Sequence, residues 1–394
     1  MISYADKLSD SEKFVIILQK YSDEYQTQRE LSEKMGIPKQ SISDWKNNSR
    51  NIRINNRNSI SKTFRLKDMI WIDTFDDAIN FEEKLDSYRI EPKKSLNQIS
   101  TFIAKNIIFP AKEISDKEQK ILKKITQEKK ITLNHIDFTK MSSASLYEVA
   151  KLLKSKNQIL EAVEILKKIN EKKGSFKYTH HHKIKHLQAI LYSHESLQEW
   201  DNSIDILRLL YVENYHLEEP EIITLLASNY KRKALFSSLT KQWLAPNEVN
   251  KNLLSSALLL YREAYETKEE GIRYYDAINF AYLYNIAHVI EIEQSNQMEL
   301  KKLYSELKQE WKIDPSNWWE VSSDAEFLML IGEVELAKHN ITTFLEDYAV
   351  DRFSIETTLR QLRLYLHFTQ NREAQDFYNY LYESWQHIKQ NKES

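Results

Sequence analysis

The sequence predicts an all-α fold: two short helices joined by a tight turn near the N-terminus, followed by an α-solenoid of stacked helical hairpins. Three observations carry that reading. The 394 residues include only four glycines and six prolines, where average usage near 7% would supply roughly 28 glycines. That shortage excludes folds built on glycine turns, including Rossmann and P-loop domains, β-sandwiches and propellers. The chain is rich in Leu, Ile, Lys, Glu, Gln and Tyr, a helix-favouring mixture low in breakers. Its apolar residues recur at helical spacing, in consecutive pairs, from about Ser142 onward.

The N-terminal pair lies in QRELSEKMGIPKQSISDWKN, Gln28 to Asn47. Leu31, Met35, Ile37, Ile42 and Trp45 are the apolar positions that would lock two helices together, with the small Ser32 at their crossing. Gly36 sits where the turn needs a backbone of positive φ. Pro38 opens the second helix, where a missing N–H costs nothing. Lys39, Gln40, Ser41, Ser43 and Lys46 then face outward on a helix of the kind that fits the major groove. The pattern resembles the phage-repressor (Xre/Cro-like) helix-turn-helix family over about residues 10–70, with Gln28 opening the first helix and Trp45 near the end of the second.

Charge separates this reading from an ordinary helical hairpin. Between Lys39 and Lys67 stand eight basic residues, Lys39, Lys46, Arg50, Arg53, Arg57, Lys62, Arg65 and Lys67, against one acid, Asp44. A segment at +7 in a chain at −2 is what phosphate contact requires and packing does not. The expected DNA contacts are therefore Gln28, Lys39, Gln40, Ser41, Ser43, Lys46, Arg50, Arg53 and Arg57. Residues 1–140 carry about +5 and residues 141–394 about −7. A second lysine-rich block, Lys93 to Lys140, reads as a solvated helix face.

Length suggests about two or three domains. The acidic KDMIWIDTFDDAINFEEKLDSYRIEP completes an N-terminal domain ending at Pro92. Residues 93–140 read as a helical connector, broken at Pro110, whose second helix is DKEQKILKKITQEKK. Beyond it, LYEVAKLLKSKNQILEAVEILKK and LQAILYSHESLQEWDNSIDILRLLYVEN are hairpins around polar turns. LLASNYKRKALF and LLSSALLLYREAYE are expected to form another pair. Ala337 and Ala374 are the small residues that let later helices approach. A period near 34–41 resembles tetratricopeptide-like (TPR) repeats, which bury their apolar faces only by stacking.

The later repeats are similar to the TRAFs-binding regulatory region over about residues 218–370. The likeness rests on PEIITLLASNYKRKALF, LLSSALLLYREAYE, RYYDAINFAYL, NWWEVSSDAEFLMLIGEVELA and TTLRQLRLY, in that order. Tyr274-Tyr275-Asp276-Ala277-Ile278-Asn279 stands close to the family's YYxGIN, with Ala277 in place of glycine. The resemblance implies a regulatory, partner-binding module without catalytic activity. The segments expected are thus 1–92, a helix-turn-helix domain; 93–140, a connector; 141–217, TPR-like repeats; and 218–394, a TRAFs-binding-type regulatory domain.

Candidate ligand contacts are Tyr274, Tyr275, Asn279 and Trp318. Asn279 lies one helical turn from Tyr275, and asparagine amides can hold an extended peptide. Tyrosines also serve as amphipathic core residues, so groove and core readings both stand. Trp318 and Trp319 form either an aromatic ligand wall or a packing anchor, with Ser316 or Asn317 capping the helix after them. Histidines 180–182 and His186 form one cluster in which His182 and His186 would share a helix face, but no carboxylate at suitable spacing completes a metal site, and we read them as a histidine-rich helix start. No metal or cofactor is expected. Absence of cysteine excludes disulfides, thiolate sites and cysteine nucleophiles. No Ser/His/Asp group, paired-carboxylate motif or phosphate loop is identifiable, so the chain does not read as an enzyme.

The N-terminus lacks the apolar stretch of a secretory signal, and runs such as ALLLY are too short to span a bilayer, so a cytoplasmic protein is expected. The expected function is a DNA-binding transcriptional regulator, a homodimer on double-stranded DNA, whose TPR groove senses a peptide, protein or small molecule. The alternative is a non-enzymatic scaffold of a bacterial stress or phage-defence system that recruits an effector or senses foreign DNA.

Overall fold

The computed structural model describes residues 8–21, 28–47, 52–73, 75, 78–89, 114–127, 131, 141–171, 181–213, 219–267, 273–292 and 297–393. Among them are nineteen α-helices and one two-residue β-hairpin, so the chain is all-α and its repeats build an α-solenoid.

Contacts gather the chain into two compact units. The first comprises residues 1–64, 68–83 and 231–394, and the second comprises residues 65–67 and 84–230. The N-terminal helices are α1 (Asp10–Lys20), α2 (Gln28–Met35), α3 (Lys39–Lys46), α4 (Ile54–Phe64), α5 (Met69–Ile72) and α6 (Ala78–Leu85). Helix α1 starts at a reciprocal cap: the Glu12 N–H donates to Ser9 Oγ at 3.3 Å and the Ser9 N–H to Glu12 Oε2 at 2.7 Å. Phe14 and Trp45, both buried, meet edge-to-face at 5.6 Å and fix α1 on α3. Lys13 is also buried, its ammonium donating to the carbonyls of Ile70 and Asp73 at 2.9 and 2.7 Å, and burial pulls its pKa down to about 8.

The second unit holds α7 (Asp116–Gln127), α8 (Ser143–Ser155), α9 (Ile159–Glu171), α10 (His181–Tyr192) and α11 (Trp200–Val212). Hairpin α8–α9 turns at Asn157, which takes the left-handed φ of +59° that asparagine tolerates. Leu146, Val149, Leu153, Ile165, Leu166, Ile184 and Leu191 from α8, α9 and α10 share one core, because neither hairpin can cover its own apolar stripe. Two interior polar side chains form a chain of hydrogen bonds: Ser203 Oγ donates to the Ala189 carbonyl at 2.8 Å, and Asn229 Nδ2 donates to Ser203 Oγ at 2.9 Å.

Helix α12 (Glu221–Leu235) leads through the hairpin strands Phe236–Ser237 and Gln242–Trp243 to α13 (Lys251–Thr267). Then follow α14 (Arg273–Val289), α15 (Gln297–Glu310), α16 (Trp318–Leu330), α17 (Val334–Asp347), α18 (Arg352–Thr369) and α19 (Arg372–Glu393). The expected pairing of α12 with α13 gives way to a pairing of α13 with α14. The interposed strands and the turn at Pro246 consume the length a tight helical hairpin would need. Helices α4 and α5 pack on α13 within the first unit. Ala337 and Ala374 are fully buried at the crossings of the last helices. Asn317 caps α16 by accepting the Trp319 N–H at 3.1 Å.

Candidate functional site

Helices α2 and α3 meet as their residues dictate. Gly36 turns at a φ of +64°, and Ser32 Oγ donates to the Ile37 carbonyl at 2.6 Å across the turn. Leu31, Met35, Ile37, Ile42 and Trp45 are all buried. Lys39, Gln40 and Lys46 are exposed on α3, while Ser41 and Ser43 are half-buried. Gln40 Nε2 donates to Asp44 Oδ1 at 2.8 Å, one turn on. Gln28 is the first residue of α2, but its side chain lies outside the described residues, as does Arg50 entirely.

At least three of the eight basic residues in this segment pair within the protein, although Lys62 stays exposed. Arg57 Nη2 pairs with Asp10 Oδ2 at 2.5 Å, and its Nε donates to the Ile52 carbonyl at 3.1 Å. Lys62 pairs with Glu266 Oε2 at 2.8 Å. Lys67 is buried, donates to the Val212 carbonyl at 2.9 Å and sits over the Tyr211 ring. Positive charge counted along a sequence does not distinguish a solvated cation from one that helps fasten the fold. Arg53 and Arg65 remain exposed.

A second constellation lies on α14 and the helices around it. Tyr274 stacks flat on Trp311, centroids 4.7 Å apart. Tyr275 is 43% exposed, and Asn279 is buried with its Nδ2 donating to the Tyr275 carbonyl at 2.8 Å. Asn279 Oδ1 accepts from Lys231 Nζ of α12 at 2.6 Å, which ties the turn of α14 that carries both residues to α12. That ammonium also sits 5.5 Å from the centroid of the Tyr261 ring on α13. Burial drives its pKa down to about 7, and the charges of Arg232 and Arg360 push the same way. Glu326 on α16 is buried nearby, and desolvation raises its carboxyl to about 8.

Trp318 does not join this group. It is 5% exposed and packs edge-to-face on Phe344 at 5.3 Å, so it is the anchor between α16 and α17 rather than a ligand wall. Its neighbour Trp319 turns outward, 37% exposed, against Phe353.

The face built from Lys231, Tyr275 and Asn279 sits within a stretch that matches a known family. Residues 158–284 match the Tetratricopeptide Repeats-Sensor (TPR-S) family. The TPR-S segment therefore contains Lys231, Tyr275 and Asn279, while Glu326 and Arg360 lie beyond its end. It supports TPR-like repeats and fits a sensing or adaptor role, and TPR domains mediate protein–protein interactions. Helical repeat domains of this type are usually non-catalytic. No curated protein and no solved structure matches the chain.

The TPR-S segment also holds His182 and His186, buried one turn apart on α10. Both approach Glu219: His186 Nδ1 lies 2.8 Å and His182 Nε2 3.7 Å from its carboxylate, which holds the Glu219 pKa below the ordinary value. The histidine-rich helix start thus has a carboxylate partner 33 residues downstream of His186, out of reach of a spacing argument. No group of three His, Cys, Asp or Glu among the described residues could hold a metal ion. No helix among them is long and apolar enough to cross a membrane.

Lys231 and Glu326 escaped sequence reading for a physical reason. Lys231 stands in the run KRK, which reads as a solvated face, and Glu326 lies 95 residues away on another helix. A charged residue one turn from an apolar helix stripe was the one available signal.

Proposed function

We propose that this chain is a DNA-binding transcriptional regulator whose TPR-S repeats sense a partner or ligand. In this reading residues 1–92 are the DNA-binding module, 93–140 the connector, and 141–217 and 218–394 the repeats, the last of TRAFs-binding type. Two copies bind double-stranded DNA as a homodimer in the cytoplasm. Lys39, Gln40, Ser41, Ser43 and Lys46 read base edges, with Gln28, Arg50 and Arg53 on phosphates. Arg57, held by Asp10, positions α4 instead.

The observation that carries the reading is the contact of α4 and α5 with α13, the helix paired with α14. Lys62 and Asn58 both reach Glu266 in the last turn of α13, and α14 carries Tyr275 and Asn279. A ligand that shifts α14 would move the head through one intervening helix, which alters the spacing of two heads on a pair of half-sites.

The test is selection of duplexes from a random pool by the full chain, followed by binding of the enriched site to a Lys39→Ala, Gln40→Ala, Ser43→Ala variant. Enrichment of an inverted repeat is expected, with each lost base contact costing roughly 1–3 kcal/mol. A pool without enrichment, or unchanged affinity in the variant, overturns the reading. The exposed Trp319–Phe353 pair favours a second reading, an adaptor of a stress or phage-defence system that recruits an effector. That reading expects no enrichment from the pool.

A further inference from the structure

Helix α7 carries four lysines, Lys117, Lys120, Lys123 and Lys124, and all four are exposed. Lys117, Lys120 and Lys124 fall at i, i+3 and i+7, on the side turned away from Leu122 and Ile125, which pack into the core of α8 and α9. None of the four forms an ion pair among the described residues. Glu118, the acid between them, is turned inward and buried. Its carboxylate accepts from the Ser115 N–H at 2.9 Å, the Ser115 hydroxyl at 2.7 Å and the Ser142 N–H at 2.6 Å. Asp116 is the one exposed acid of the helix. Lys156 brings a fifth ammonium to its far end, donating to the Thr126 carbonyl at 3.3 Å.

A solvated face does not need this arrangement. On four other helices an exposed cation has an acid one turn away: Arg29 and Glu33 on α2 at 2.8 Å, Lys151 and Glu148 on α8 at 3.1 Å, Lys302 and Glu306 on α15 at 3.7 Å, Arg352 and Glu356 on α18 at 2.7 Å. On α7 the like charges of Lys117, Lys120 and Lys124 repel across single turns. Lys117 also stands in the first turn, where the helix dipole disfavours a cation. Both effects oppose the helix, and a polyanion lying along the face relieves the repulsion. Duplex DNA fits that role. The helix advances about 10 Å from Lys117 to Lys124, a length over which a duplex presents about six phosphates. A membrane surface fits less well, because an interfacial helix needs an apolar face to bury beside its lysines, and that face of α7 is already covered by the core.

We propose that the lysine face of α7 is a second nucleic-acid interface, which holds the phosphate backbone of duplex DNA through Lys117, Lys120, Lys123 and Lys124. It reads no bases: ammonium groups on flexible stems meet phosphates as point charges and carry no sequence information. The proposal rests on the DNA-binding reading of the chain and adds to it a contact outside residues 1–92.

The experiment measures binding of the full chain to a random-sequence duplex and to any duplex enriched by selection, over a range of salt concentrations. The site variant combines Lys117→Gln, Lys120→Gln and Lys124→Gln. A control combines Lys167→Gln, Lys251→Gln and Lys301→Gln, which removes the same charge from exposed positions on three other helices. The site variant should lower the salt slope by about three on both duplexes and leave the ratio of their affinities unchanged, while the control keeps the parent slope. Glutamine suits a helix as well as lysine, so melting of the site variant should not fall. An unchanged slope in the site variant, or an equal loss in the control, overturns the proposal. So does retention on phosphatidylserine vesicles that the site variant loses while its DNA binding stays whole, which would assign the face to lipid. A selected operator with an unchanged slope sinks this face alone, whereas a lower slope on random duplex without any selected operator sinks the regulator reading alone. No duplex binding by the parent sinks both.

Discussion

Lys62 of α4 ends against Glu266 of α13, Nζ to Oε2 at 2.8 Å, and Asn58 of the same helix donates to that carboxylate at 3.4 Å. One carboxylate therefore gathers two side chains of the N-terminal helices onto the repeats. The ammonium is well exposed, so the pair is worth little to stability, about 0–1 kcal/mol. Its value lies in register, since it ties α4 to the end of the helix that packs on α14.

The buried acid behind that contact gives the first prediction. Burial raises the Asp68 carboxyl to about 6, and the Glu266 charge adds to the rise. A folded pKa above the unfolded value near 3.9 means no penalty below about pH 4, when both states are protonated, and a growing one between about pH 4 and 6. Asp68→Asn should therefore be more stable than the parent above pH 6, by on the order of 2 kcal/mol, and equal to it near pH 4. Denaturant melts across that range check the sign. A variant less stable at every pH would show that Asp68 is needed as an acid.

Arg53 and Arg57 should separate cleanly. Arg57→Ala loses a partly buried ion pair with Asp10 and should lower stability by about 1–2 kcal/mol. Arg53→Ala should reduce the salt slope of DNA binding by about one. If Arg57→Ala melts normally and flattens the slope instead, the ion pair does not hold it in solution.

The adjacent tryptophans should behave oppositely. Trp318→Ala opens a cavity between α16 and α17 and should cost about 3–5 kcal/mol, whereas Trp319→Ala should stay within about 1 kcal/mol of the parent. Thermal melts of the two variants decide. Equal melting points would mean that Phe344 and its neighbours close over the lost ring.

Much of the fold was legible because helices are local objects. The Gly36 turn, the burial of Leu31, Met35, Ile42 and Trp45, the α8–α9 hairpin and the Asn317 cap all follow from spacings of a few residues. Tyr275 and Asn279 could be placed on one face for the same reason, as both belong to α14. What surrounds them could not, because Lys231, Glu326 and Arg360 arrive from three other helices.

The sequence by itself determined that this protein is helical, where its hairpins turn and which stripe of each helix seeks cover, since a 3.6-residue period and scarce breakers admit little else. Tertiary structure decided which stripe meets which. It turned Trp318 inward and Trp319 outward, withdrew Arg57 and Lys67 from the basic surface, tied the exposed Lys62 to Glu266, and paired α13 with α14. It also set the charge of Lys231 and Glu326, because a pKa answers to burial and to neighbours brought from tens of residues away.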